Sequence, residues 1–245
     1  MRGAIAAEWT KTWTVRSTYW CLVAAVLLMV GMVVPNGLAI RGQLRDGVPG
    51  ANAWPATQLP IEATVYLVQF AVIALVALLV AGEYGTGQVR TTLQWVPVRW
   101  RVPASKSLAL ASAMAVVSLP LTALGVWLAD LTMAERGLPY SAADFAGTCL
   151  LVALYTSLMC VLTVGVATAV RSVAGTLVAM FMLIMVLPLG MQTTQFLRDL
   201  SHYVPGIAGV DLMERADTTR GAVVLVVWAA VALLAGIAVL RKRDA

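Results

Sequence analysis

Apolar residues along this chain gather into long unbroken runs instead of alternating with polar ones. Six runs stand out: Tyr19 to Ile40, Ile61 to Ala81, Ser107 to Leu128, Phe145 to Val170, Val173 to Leu189 and Ala222 to Leu240. A helix rises about 1.5 Å per residue and the hydrocarbon layer of a bilayer is about 30 Å thick. Each run is therefore long enough, or nearly so, to cross it. One such run could be a buried helix of a soluble protein; six together predict a membrane bundle. The expected fold class is an all-α integral membrane protein with six transmembrane helices, residues 1–245 forming one transmembrane domain.

Three segments outside these runs carry patterns of their own. Residues 1–18 place Ile5, Trp9 and Trp13 at i, i+4 and i+8 on one helical face, with Glu8, Thr10, Lys11 and Thr12 elsewhere around the wheel. That pattern predicts an interfacial helix with its tryptophans at headgroup depth. Residues 82–106 read GEYGTGQVRTTLQWVPVRWRVPASK. Thr86 as an N-cap, followed by the stripe Val89, Leu93 and Val96, predicts a short amphipathic helix that Pro97 ends. Arg99, Arg101 and Lys106 flank it as basic snorkellers. Residues 191–221 are long for a connection and hold apolar patches broken by Pro205 and Gly206. They fit a re-entrant or interfacial hairpin packed in protein, or a plain external loop.

Composition agrees with the pattern. Hydrophobic residues make up 60% of the chain and charged ones 12%, against about 25% charged in soluble domains. An ordinary soluble enzyme and a disordered chain are both excluded. The net charge of +5 resolves into two sides when the N-terminus is set in the cytoplasm. The inner segments then hold eleven Lys and Arg and three acids, a net +8, and the outer ones six and nine, a net −3. The positive-inside rule therefore predicts both termini in the cytoplasm. The basicity is accounted for by topology, with no nucleic-acid partner called for. No Asp, Glu, Lys or Arg falls in the middle of a run, where ion- and proton-coupled transporters carry such groups.

Conventional site chemistry is sparse. Cys21, Cys149 and Cys160 lie inside apolar runs, and His202 is the sole histidine. No zinc-ligand spacing and no hydrolase motif occurs. Gly82, Gly85 and Gly87 do not make a phosphate loop, because they follow a membrane helix and no Gly-Lys-Ser/Thr is present.

Four stretches together resemble the permease subunits of ABC type-2 exporters, including bacterial drug and antibiotic-resistance permeases. They are EWTK with RSTYW, GEYGTGQVRTTL after the second run, AVRSVAG between the fourth and fifth, and the terminal LRKRDA. The resemblance implies an N-terminal connecting helix, a coupling helix after span two and re-entrant helices between spans five and six. It also implies a dimer with a second copy or a paralogue, and a separate ABC ATP-binding subunit that holds ATP and Mg; no cofactor is expected on this chain. Coupling to that ATPase would run through Glu83, Tyr84, Gly85, Thr86, Gly87, Gln88, Arg90, Thr91 and Thr92. Glu83 would bond at the motor interface, and Gly85 and Gly87 would permit a tight reversal. A substrate path near spans two and five would involve Tyr66, Gln69 and Phe70 with Met180, Phe181, Met182 and Met185. The expected activity is alternating-access export of a hydrophobic or amphiphilic substrate across a bacterial plasma membrane. A non-transporting immunity or sensory partner and an intramembrane enzyme are the alternatives.

Overall fold

The computed structural model describes residues 2–88 and 100–242. A first helix, α1 (Arg2–Thr14), is followed by six helices long and apolar enough to cross a membrane. These are α2 (Arg16–Arg45), α3 (Gln58–Thr86), α4 (Arg101–Arg136), α5 (Ala142–Val170), α6 (Val173–Thr193) and α9 (Thr218–Lys242). Two short helices, α7 (Gln195–Ser201) and α8 (Pro205–Met213), lie between α6 and α9. No β-strand forms among the described residues; an isolated bridge pairs Pro55 with Leu138. The chain is thus an all-α, multi-pass membrane protein.

Every apolar run lies within one of these helices, and the helices outrun them. α2 adds Arg16–Thr18 and continues past Ile40 to Arg45, passing through Pro35; α4 begins at Arg101 and passes through Pro120. Polar end turns keep their backbone bonds where apolar burial no longer demands a helix. The helix starts are marked by caps. Ser141 and Asp144 form a reciprocal capping box at α5, the Asp144 N–H donating to Ser141 Oγ at 3.1 Å. Ser172 caps α6 and Thr194 caps α7, while Pro205 supplies a preset φ at the start of α8. Arg171 takes the left-handed conformation, φ 60°, that ends α5 and lets α6 turn back.

The sequence-predicted boundaries change in the 82–106 segment. Gly82–Thr86 continues α3, and Thr86 ends that helix instead of starting the next: its hydroxyl donates back to Gly82 and Glu83 carbonyls at 3.3 Å. Gly87, at φ 75°, makes the left-handed stop, whereas Gly85 is helical. Lys106 is inside α4 and buried, not in a loop. The predicted amphipathic stripe Val89, Leu93 and Val96, with Arg90, Thr91, Thr92 and Gln94, lies outside the described residues.

α3 and α5 are the most enclosed spans. One core joins α3, α5, α6, α8 and α9 around Tyr155, Met159 and Leu212. A second joins α2, α3 and α4 around Met29, Leu59 and Met133. A third fills the α3–α4–α5 contact around Leu75, Met114 and Val164, with Trp9 and Trp13 packed against it. α5 and α9 cross at glycines: a Cβ on Gly165 would stand 2.3 Å from the Ala232 carbonyl carbon, and one on Gly236 2.7 Å from the Gly165 oxygen. Small residues there let two backbones touch.

Within residues 191–221 two short helices form: α7 is mostly exposed, with only Ser201 buried, and α8 packs against the bundle. α8 buries Ala208, Gly209, Asp211, Leu212 and Met213. Gly206 sits against the Ile184 carbonyl and Gly209 against the Tyr155 ring, where added Cβ atoms would come within 2.4 and 2.2 Å.

Candidate coupling site and groove

A charged cluster joins three elements at the α1 end of the bundle. Glu83 is the second residue past the apolar run of α3, Lys106 is in the second turn of α4, and Glu8 and Lys11 are one turn apart on α1. Lys106 Nζ donates to Glu83 Oε1 at 2.6 Å and to Glu8 Oε2 at 2.8 Å, and Lys11 also donates to Glu83 Oε1. Glu83 and Lys106 are each 4% exposed. Two carboxylates face two ammonium groups, so the cluster is neutral overall. Burying any one of these charges alone would cost several kcal/mol; mutual pairing removes most of that cost.

Two tryptophans hold α1 in this position. Trp9 and Trp13 meet edge to face with centroids 6.1 Å apart and pack on the α3–α4–α5 core. Thr12 is buried beside them, its hydroxyl donating to the Glu8 carbonyl at 2.8 Å. The helix therefore uses its polar face as well as its aromatic one to grip the protein. Ile5 is half-buried.

Next to the cluster, the Arg171 guanidinium lies over the Tyr84 ring, 5.3 Å from its centroid, a cation–π contact. It connects the segment after span two with the turn between spans four and five. Gln88 is exposed at the edge of the described residues. The Glu83 carboxylate, expected to bond at a motor interface, is engaged within its own chain. Sequence reasoning missed Glu8, Lys11 and Lys106 as its partners.

The residues expected on a substrate path separate into two groups. Tyr66, Gln69 and Met185 line a groove of about 240 Å³ between α3, α6 and α8, with Ile207 and Val210 on its far side. Phe70 and Phe181 meet across α3 and α6, ring centroids 5.7 Å apart, and Met182 is half-exposed. Met180 is different: it is fully buried in the core, because its side of α6 faces the bundle. Gln69 lines the groove but is tied, its Oε1 accepting from the Tyr155 hydroxyl at 2.5 Å and its amide donating to the Val65 carbonyl. A π-helical turn interrupts each wall, Thr64–Val68 in α3 and Met182–Val186 in α6. Such turns release a backbone carbonyl from the regular ladder.

At the opposite end of the bundle, His202 and Arg220 converge on buried Asp211. His202 Nδ1 lies 2.8 Å from Asp211 Oδ2, and Arg220 Nη2 donates to the same oxygen at 3.0 Å. The Trp228 indole donates to the Tyr203 carbonyl at 2.8 Å. These bonds fasten α7 and α8 to α9. Among the described residues no three His, Cys, Asp or Glu side chains gather as metal ligands would. In comparisons with protein-family models and with curated proteins, the chain matches none.

Proposed function

We propose that this chain is the transmembrane permease subunit of an ATP-driven exporter of the ABC type-2 kind. The observation that carries this reading is the Glu83–Lys106–Lys11–Glu8 tie, which joins the end of span two, the start of span three and the N-terminal helix. A force applied to residues 82–106 is then borne by three elements at once, and the Arg171–Tyr84 contact extends it to the turn before span five. The separate ABC ATP-binding subunit holds ATP and Mg and supplies that force; its closure drives alternating access. The absence of charge in mid-span favours an external energy source over an ion gradient.

In this reading both termini face the cytoplasm of a bacterial plasma membrane and α7 with α8 forms an external re-entrant hairpin. Two permease copies, or one and a paralogue, enclose the path. The groove between α3 and α6 meets a hydrophobic or amphiphilic substrate through Tyr66, Phe181 and Met185, methionine being adaptable to varied apolar shapes. Glu83 acts inside the permease, setting the position of the coupling segment, and Thr86, Gln88 and the residues beyond meet the motor.

The test is reconstitution of this chain with a separate ABC ATP-binding subunit. ATP-dependent accumulation of an amphiphilic rhodamine dye in proteoliposomes is expected only when both subunits are present. Dye accumulation without the ATPase, or no complex between the two subunits, overturns the reading.

A further inference from the structure

The last turns of α9 border a groove of about 500 Å³ whose character changes along its length. Leu234, Ile237 and Ala238 make its apolar floor, Arg241 and Lys242 its rim, and Trp100, just before α4, its side wall. The five α9 residues recur at i, i+3, i+4, i+7 and i+8, so they share one face of the helix. Leu234 and Arg241 are seven residues apart, about 10 Å along the axis. Leu234 is 65% exposed, so the floor is not covered by the described residues. Leu240, between floor and rim, turns inward and lines a small cavity with Glu83 and Lys106. The groove therefore lies at the end of the bundle that carries the charged cluster.

The two cations on the rim lack counterions. Of the three lysines in the chain, Lys11 and Lys106 are ion-paired. Lys242 has no acidic partner among the described residues, and neither has Arg241. Cations at the carboxyl end of a helix suit its dipole, which accounts for their position but neutralises only part of their charge. An apolar floor on a membrane-spanning face, leading to a cationic rim at the helix end, is the complement of an anionic amphiphile. A soluble anion would leave the floor uncovered, and a zwitterionic lipid would bring its own cation towards Arg241 and Lys242. An indole such as that of Trp100 suits the zone where headgroup and acyl chain meet.

We infer that this groove binds an anionic glycerophospholipid. Its phosphate is held by Arg241 and Lys242, and the upper part of an acyl chain lies on Leu234, Ile237 and Ala238 beside Trp100. Basic side chains next to a spanning helix attract anionic lipid in general; the apolar floor turns that attraction into a defined site. Which leaflet supplies the lipid rests on the topology of the proposed function, where it is the cytoplasmic one; the binding itself does not.

The experiment uses the full chain without any ATPase, in dodecylmaltoside micelles. Native mass spectrometry counts the molecules retained during titration with phosphatidylglycerol, phosphatidylcholine or glycerol phosphate. One phosphatidylglycerol per chain should be retained at concentrations at least ten-fold below those needed for phosphatidylcholine. Glycerol phosphate, which lacks the chains, should bind at least ten-fold more weakly than phosphatidylglycerol. Arg241→Gln combined with Lys242→Gln should bring phosphatidylglycerol to the level of phosphatidylcholine. Arg41→Gln combined with Arg136→Gln removes two exposed cations at the other end of the bundle and should leave the preference intact. All four positions are exposed, so the variants retain the fold, as an unchanged size-exclusion profile would register. Equal retention of the two lipids, the result if residues 89–99 or a second copy of the chain fill the groove, overturns the inference. So do glycerol phosphate binding as tightly as the lipid, an unchanged preference in the Arg241, Lys242 variant, and an equal loss in the Arg41, Arg136 variant. A failure of ATP-driven transport would leave these titrations unaffected, so the two readings fall separately.

Discussion

Lys106 and Glu83 meet across the gap between two membrane helices, Nζ to Oε1 at 2.6 Å, with each side chain 5% exposed. Twenty-two residues of chain lie between them, eleven of which are outside the described part. The pair therefore fixes how the ends of α3 and α4 sit, whatever course the intervening segment takes. Lys11 and Glu8 bring the N-terminal helix into the same arrangement.

Removing one member of this cluster should be costly. Lys106→Met leaves the buried Glu83 with Lys11 alone. We expect a loss of about 3 kcal/mol, at the low end of the cost of breaking a buried ion pair. Lys106→Met combined with Glu83→Gln should cost less than the sum of the two single changes. Unfolding of the purified protein in mixed micelles, run as a double-mutant cycle, measures this; strict additivity would deny the coupling.

The Tyr155–Gln69 bond offers a second cycle deeper in the bundle. Tyr155→Phe removes the donor and leaves the Gln69 carbonyl oxygen without it, at a cost of about 1–3 kcal/mol. Adding Gln69→Leu should recover part of that, because both polar groups then leave together. The same unfolding assay reads the recovery, and a double variant less stable than either single one would contradict the prediction.

Gly165→Ala tests the α5–α9 crossing. The new methyl would meet the Ala232 backbone, so the helices must separate, at a cost of about 1–3 kcal/mol. Gly190→Ala, at a site with open space around it, should change stability by well under 1 kcal/mol. Melting temperatures of the two variants side by side decide this, and equal shifts would argue against backbone contact at Gly165.

Orientation is tested by single cysteines in a background with Cys21, Cys149 and Cys160 replaced. Ala143 and Thr86 are both exposed and lie at opposite ends of the bundle. In intact cells a membrane-impermeant maleimide should label Ala143→Cys and spare Thr86→Cys until the membrane is opened. The reverse pattern would invert the topology.

The spans were legible because apolar burial is written continuously along the chain: twenty apolar residues in a row have few other fates. Their ends were not, since Arg16, Arg101 and Arg45 look like loop residues until their backbone bonds are seen. The charged cluster was half legible. Glu83 stood out after an apolar run, but Glu8, Lys11 and Lys106 were assigned to membrane sides by sign, and pairing across 72 or 98 residues leaves no local trace. Gln69 was singled out as a polar residue in span two; its partner Tyr155 sits in span four, where a lone tyrosine in an apolar run was the available signal. Met180 and Met185 look alike in sequence, and only the packing of α6 sends one to the core and the other to the groove. The interruption of that helix by a π turn had no signature in a 3.6-residue period.

Each of those π turns holds one residue more than an α-helical ladder can use. Within α3 the extra residue at Thr64–Val68 offsets the later part of the helix by about 100° from the register of an uninterrupted one. Leu75 and Val76, beyond the turn, are buried in the core in that register. Taking one residue out of Thr64–Val68 would convert the turn to ordinary α-helix and leave Leu59 and Leu75 facing as they do now. Taking one out near Ile73 would instead rotate one half of the span against its neighbours. The chain thus has two positions, one in α3 and one at Met182–Val186 in α6, where its length can drift by a residue between related proteins without disturbing the bundle. An alignment gap in either span should fall there.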